Sequence, residues 1–150
     1  MAALAFQVTF DATDPHAQAR FWAEVLGWTV EVSTDQIKQI IAAGHATMDD
    51  VVEIDGELFW GIGSAIHHPD GRGDPLDGSG GSRRILFMRV PEAKAVKNRV
   101  HLDVNVGRPA RDAEVERIVA LGATVLYEID EPSGSHVTLA DPEGNEFCVQ

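Results

Sequence analysis

Two stretches of the chain, QVTFDATDP at residues 7–15 and HLDVNVGRP at residues 101–109, decide how the sequence is read. Each passes from alternating apolar and polar residues through a polar patch into a proline, the order expected of a strand that turns into a helix. The correspondence continues further on. EVLGWTV at 24–30 falls over VALGATV at 119–125 with a one-residue slip, and in both a Leu-Gly pair marks a helix end followed by a strand. Identity is slight, yet a shared order of strand, helix, glycine stop and strand is better explained by duplication than by chance. Each half therefore reads β-α-β-β-β, with module one at about 1–92 and module two at about 97–150 of a single α+β domain.

Working outward, LAFQVTF (4–10) reads as a strand with Gln7, Thr9 and Asp11 on one face and Val8 and Phe10 on the other. Asp14 is placed as N-cap, Pro15 in the first helical turn and Gly27 as the stop, and Ala19, Phe21, Trp22, Val25 and Leu26 recur at helical spacing. DQIKQIIAAG and ATMDDVVEIDG fit a short helix or a strand and loop equally. ELFWGIGSAI (57–66) reads as one strand, HHPDGRGDPLDGSGGS (67–82) as a loop and RRILFMRV (83–90) as another strand. In module two, NRVHLDVNV (98–106) alternates Arg99, His101, Asp103 and Asn105 against Val100, Leu102, Val104 and Val106. A helix over RDAEVERIVAL buries Val115, Ile118, Val119 and Leu121, a strand begins near Thr124, and SHVTLADPEG and NEFCVQ form two strands around the DPEGN turn.

Composition narrows the function. The 150 residues are 44% hydrophobic, enough for one buried core, and contain no apolar run long enough to cross a bilayer. One cysteine, Cys148, excludes an intrachain disulfide and suits a reducing compartment, so a cytoplasmic location is expected. A net charge of −12 with no basic cluster repels phosphate backbones and anionic lipid, so neither nucleic acid nor membrane is expected as a partner. Neither GxGxxG, a P-loop nor GxSxG occurs.

The duplicated βαβββ module, the Leu-Gly helix ends and the closing DPEGN turn resemble the vicinal oxygen chelate superfamily, which includes glyoxalases, extradiol dioxygenases and bleomycin- and fosfomycin-resistance proteins. DPHAQARFWAEVLGW, KNRVHLDVNVG and ADPEGNEFCV are similar, more narrowly, to actinobacterial glyoxalase-like proteins. The resemblance implies two modules curving into a half-barrel cleft that takes a small organic molecule, and a homodimer. It also implies metal ligands on the first and last strand of each module. Carried across by position, these are Gln7, Met88, His101 and Cys148, the last standing where metal-binding members commonly have a glutamate.

That set is poor for a divalent ion. Zinc, nickel, cobalt or iron with open positions favours imidazole and carboxylate, whereas Met88 offers a weak thioether and Cys148 must first deprotonate. The metal-free state is the expectation, with a Gln7, His101 and Cys148 site as its competitor. Cys148 reads first as a small buried hydrophobe. His101 reads either as a ligand or general base, or as a histidine bonded to Arg99 or Asp103. Glu146 is a candidate acid or a solvated carboxylate. Arg99 and Asp103 are candidate ligand-binding groups, and Trp60 or Phe59 could stack on a planar ligand. The functional expectation is an atypical metal-assisted lyase, isomerase or dioxygenase, or a metal-free binder of the drug-sequestering kind.

Overall fold

The computed structural model describes residues 6–71, 83–132 and 134–150. Module one opens with β1 (Val8–Ala12), α1 (Pro15–Leu26) and β2 (Thr29–Val30) and closes with β5 (Gly63–His67) and β6 (Arg84–Arg89). Module two contains β7 (Asp103–Val104), α3 (Arg111–Ala120), β8 (Thr124–Glu131), β9 (Gly134–Ala140) and β10 (Glu146–Val149). The two four-stranded sheets run β1-β6-β5-β2 and β7-β10-β9-β8. In both, the first strand of the module pairs parallel with the last and the remaining pairings are antiparallel. The duplication read from the sequence is thus repeated as one topology.

Between β2 and β5 module one carries an insertion: α2 (Thr34–Ala42), a 3-10 turn (Met48–Asp50) and a separate hairpin of β3 (Val51–Ile54) and β4 (Glu57–Trp60). ELFWGIGSAI is accordingly two strands, because the chain turns at residues 61–62. The other departures are also local. The first strand begins at Val8, where its ladder with Ile85 starts, and residues 4–5 lie outside the described part. NRVHLDVNV forms ladder pairs only at Asp103 and Val104, and Val100 is exposed. Of the expected loop, residues 72–82 also lie outside the described part.

Why α1 forms is plain from its ends. The Asp14 carboxylate accepts from the N–H of His16 (3.1 Å) and Ala17 (3.0 Å), Pro15 fills the first turn, and Gly27 closes the helix at φ 65°. Its apolar face joins β5, β6, β9, β10 and Ile118 of α3 in one core. Trp22, Phe87 and Phe147 are the largest fully buried side chains of that core, with Phe10, Trp22 and Phe147 in tilted and edge contact. Val119 and Leu121, expected in the buried face of α3, are instead 40% and 37% exposed. Only the narrow stripe of Ile118 and the partly buried Val115 reaches the shared core.

The modules are locked at both ends of α1. Ahead of the helix, the Glu143 carboxylate of the DPEGN turn accepts from the N–H of Thr13 (2.9 Å) and Asp14 (2.7 Å). At the far end, Arg117 of α3 donates to the carbonyls of Glu24 (3.0 Å) and Val25 (2.9 Å), so a cation meets the negative end of the helix. Beside them Trp22 Nε1 donates to the buried Asp141 carboxylate at 3.2 Å, which also accepts from the backbone N–H of Glu143 and Asn145. The closing turn is therefore a clamp between modules as well as a hairpin end.

Candidate functional site

Because strand side chains alternate, a sheet whose one set faces the helices must present the other set outward. In the first sheet Phe10, Phe87, Ile85 and Ile66 belong to the core or pack on it. The register then leaves Thr9, Asp11, Arg84, Leu86, Met88, Ala65 and His67 on the open face. In the second sheet Phe147, Val149, Leu139 and Val137 are the core set. The open row is Asp103, Cys148, Thr138 and Tyr127, one residue from each of the four strands.

On the first open face a charged network crosses the sheet. Arg84 grips Glu31 through two parallel bonds, Nε to Oε1 and Nη2 to Oε2, both 2.8 Å. Its third nitrogen donates to Gln7 Oε1 at 2.6 Å, and the Gln7 amide nitrogen reaches Thr9 Oγ1 at 3.4 Å. Beside this network is a cavity of about 130 Å³ whose walls include Arg84, Leu86, Met88, Phe59, Trp60 and Ile62. The hairpin supplies the aromatic residues, so the insertion roofs part of the face. Met88, one of the positions carried over from the resemblance, here serves as an apolar wall.

On the second open face His101, Asp103 and Tyr127 are exposed, Cys148 is half-buried and Thr138 is buried. His101 Nδ1 lies 2.9 Å from Asp103 Oδ1, and the ligating atoms of His101, Asp103 and Cys148 all fall within 4.8 Å of one another. Burial pushes the Cys148 thiol above its ordinary pKa; the Thr138 hydrogen bond opposes this, and Asp103 adds smaller upward pushes by charge and hydrogen bonding. Sγ is 3.6 Å from Thr138 Oγ1. Glu146 has a different role from either expectation. It is tied to the Asn98 backbone N–H (3.0 Å) and to Lys94 Nζ (3.0 Å), and these hold its pKa down to about 2. A carboxylate so placed is ionised at neutral pH, which leaves it no proton to deliver as a general acid. Arg99 is exposed, ahead of the short β7 ladder.

The structure therefore brings His101, Asp103 and Cys148 together, and places Gln7, Met88 and Trp60 on or beside the other sheet. Three contributors were not read from the sequence. Arg84 and Glu31 meet only through the β2-β5-β6 register, in which Thr29 lies opposite His67 and His67 opposite Arg84. Thr138 could have been found, since it alternates with the core residues Val137 and Leu139.

As a test of metal binding, the donor chemistry divides by face. On the first, the only family-position oxygen, Gln7 Oε1, already accepts from a guanidinium, whose positive charge repels a second cation bound there. On the second, imidazole, carboxylate and thiol are near enough for a zinc ion, but the thiol must lose a proton that its surroundings favour keeping. Taken as the four-position set, the residues do not fit.

A family model described as a glyoxalase-like domain matches residues 7–150. Comparison with curated protein sequences gives no match. Solved structures align over almost the whole chain. A glyoxalase/bleomycin resistance protein/dioxygenase family enzyme from Burkholderia phytofirmans PsJN aligns with TM-score 0.59 and 18% identity, covering 95% of this chain and 94% of that one. A mutant of the fosfomycin resistance protein FosX from Listeria monocytogenes, complexed with Mn(II) and 1S,2S-dihydroxypropylphosphonic acid, gives 0.59 and 13%, covering 100% and 90%. The oxidase ChaP-H2 gives 0.56 and 16%, covering 99% and 93%. At such identities these likenesses establish the glyoxalase/bleomycin resistance/dioxygenase fold and leave the reaction open.

Proposed function

Since the chain belongs to the glyoxalase-like domain family, we propose that it is a cytoplasmic, homodimeric small-molecule binder, of the actinobacterial glyoxalase-like subgroup, that works without a metal ion. The observation that carries this reading is the Arg84 guanidinium, fixed by Glu31 and bonded to Gln7 at 2.6 Å, on the face where a metal-dependent relative would place a ligand. Around it are groups that pack: Leu86, Met88, Ile62 and the rings of Trp60 and Phe59. Such a face suits an apolar, planar molecule that stacks on Trp60, the behaviour of a drug-sequestering protein. Support for a dimer comes from the apolar strip of Val119, Leu121, Val125, Leu126 and Tyr127, each between 37% and 48% exposed, along the end of α3 and the edge strand β8.

A second reading is favoured by one observation, the His101, Asp103 and Cys148 group. There the protein would be an atypical metal-assisted lyase, isomerase or dioxygenase, as the Mn(II) complex of FosX and the oxidase ChaP-H2 suggest by fold alone. Elemental analysis of untagged protein, before and after loading with zinc, nickel, cobalt and iron, separates the two. The binder reading expects substoichiometric metal throughout, and quenching of Trp60 fluorescence by planar aromatic ligands that a Trp60→Leu variant loses. Near-stoichiometric metal abolished by His101→Ala overturns it in favour of the enzyme.

A further inference from the structure

Phe59 borders two cavities, one on each side of the inserted hairpin. Building on the open-face reading, we propose that Phe59 is the stop that sets ligand length on that face, confining its occupant to a single aromatic ring. The open-face cavity holds about 130 Å³. A second cavity, of about 250 Å³, lies beyond it between the first half of α1, the chain at Val30 and Val32, and the hairpin. Phe59 and Ser64 line both.

The two spaces come close because β2 is short. It ladders with β5 only at His67 and Ile66, and the Glu31 N–H then donates to the Ala65 carbonyl at 2.8 Å. Gly63 and Ser64 continue to pair with Met88 and Phe87 of β6, but among the described residues no strand pairs with their other edge. A sheet edge left without a strand is a gap between its faces, and here the hairpin is laid across it. Alternation along β4 sends Phe59 and Trp60 to opposite sides of the hairpin. The Phe59 ring goes toward α1 and meets His16 edge-on, with centroids 5.6 Å apart, filling the gap.

A stop must hold its place when a ligand presses on it. The backbone is tied on both sides of Phe59. Before it, the Leu58 N–H donates to Thr34 Oγ1 at 2.8 Å. After it, the Gly61 N–H donates to the Asp50 carbonyl at 2.8 Å, and the Gly61 carbonyl accepts from Arg89 Nε at 2.9 Å. Volume supplies the other half of the case. A void of about 150 Å³ accepts benzene, so the open-face cavity takes about one ring. Sites for drug-sized molecules run from about 300 Å³ upward; neither cavity reaches that size, and the two joined would. Val30, Val32 and Ile54 make much of the wall beyond Phe59 apolar, so a second ring passing into it would gain by burial. The Phe59 side chain is what denies that gain.

Calorimetric titration of the full chain with benzyl alcohol and with 4-biphenylmethanol, neutral compounds that differ by one ring, tests the proposal. In the parent the second ring is expected to change affinity less than threefold, because it is left in solvent. In Phe59→Ala the same ring is expected to tighten binding at least tenfold. Adding Val32→Phe, at a position 55% exposed that borders the far cavity, is expected to refill that space and cancel the gain, which a merely loosened hairpin would not do. Should Phe59→Ala not fold, Phe59→Leu is expected to show the same direction with a smaller gain. A tenfold gain already present in the parent, an equal gain in parent and variant, or a gain indifferent to Val32→Phe would overturn the stop while leaving the open-face reading intact. Benzyl alcohol binding to none of these proteins would sink that reading and the stop with it.

Discussion

The two open sheet faces have the same strand order and came from the same kind of module, yet their chemistry has diverged in opposite directions. The first carries a guanidinium neutralised by Glu31, bonded to Gln7 and set among Leu86, Met88 and Trp60 under an inserted hairpin. The second carries no inserted hairpin among the described residues, keeps Thr138 buried in its row, and holds imidazole, carboxylate and thiol within 4.8 Å. Topology alone therefore prescribes where an open face will be and says nothing of what it does; that is written in the side chains at alternate strand positions.

The largest perturbation expected is at the clamp that holds the two faces in fixed relation. Asp141→Ala strips the buried Trp22 Nε1 and the turn N–H groups of Glu143 and Asn145 of their acceptor. At about 1–3 kcal/mol for a buried donor left open, a loss of about 3 kcal/mol or more is expected in urea denaturation, with Asp141→Asn less damaging. An unchanged midpoint would mean the modules are held by core packing alone. Next in size is Arg84→Met, which removes the bidentate pair with Glu31 on a half-buried face and is expected to cost about 1–2 kcal/mol. The same substitution frees Gln7 Oε1. If the guanidinium is what keeps metal from the first face, the variant will take up more zinc than the parent under identical loading.

Glu146 sharpens the comparison at a smaller scale. Its pKa is held at about 2, first by the Asn98 N–H and then by Lys94, against an ordinary 4.5. A carboxylate that binds protons less readily folded than unfolded stabilises the fold fully above the unfolded pKa, and that stabilisation drains as pH falls from 4.5 toward 2. Glu146→Gln should therefore flatten the acid limb of a stability-against-pH curve in that window while leaving its slope above pH 6 unchanged. A parallel displacement of the whole curve would mean that Glu146 acts through packing.

How much of this was legible in the chain follows from the range of each interaction. The N-cap Asp14, the Leu-Gly stops and the alternation of His101, Asp103 and Asn105 are local, set by neighbours within a few residues, and could be read directly. The same alternation offered Arg99 and Asp103 as neighbours of His101, and the structure pairs it with Asp103. What could not be read depends on register between distant strands: Arg84 meets Glu31 across an interval filled by a helix and a hairpin that the sequence left ambiguous. Val119 and Leu121 show the converse error. Periodicity correctly identified an apolar helix face, but a helix packed on its core along a narrow stripe leaves part of that face uncovered, and periodicity does not report the width of the contact.

The smallest expected effect bears most directly on the difference between the faces. If Cys148 is a protonated thiol kept so by burial and by Asp103, its alkylation by iodoacetamide should be slow at pH 7 and rise with a midpoint above the ordinary value of 9.0. Replacing Asp103 by Asn removes a negative charge that opposes thiolate formation, so the midpoint should fall and the rate at pH 8 increase. Stability should barely change, because Asp103 is exposed. The opposite shift, a slower thiol in Asp103→Asn, would place the carboxylate as the base that takes the thiol proton. Cys148 would then be primed to become a thiolate beside His101, and the second face would have the donor set of a zinc site after all.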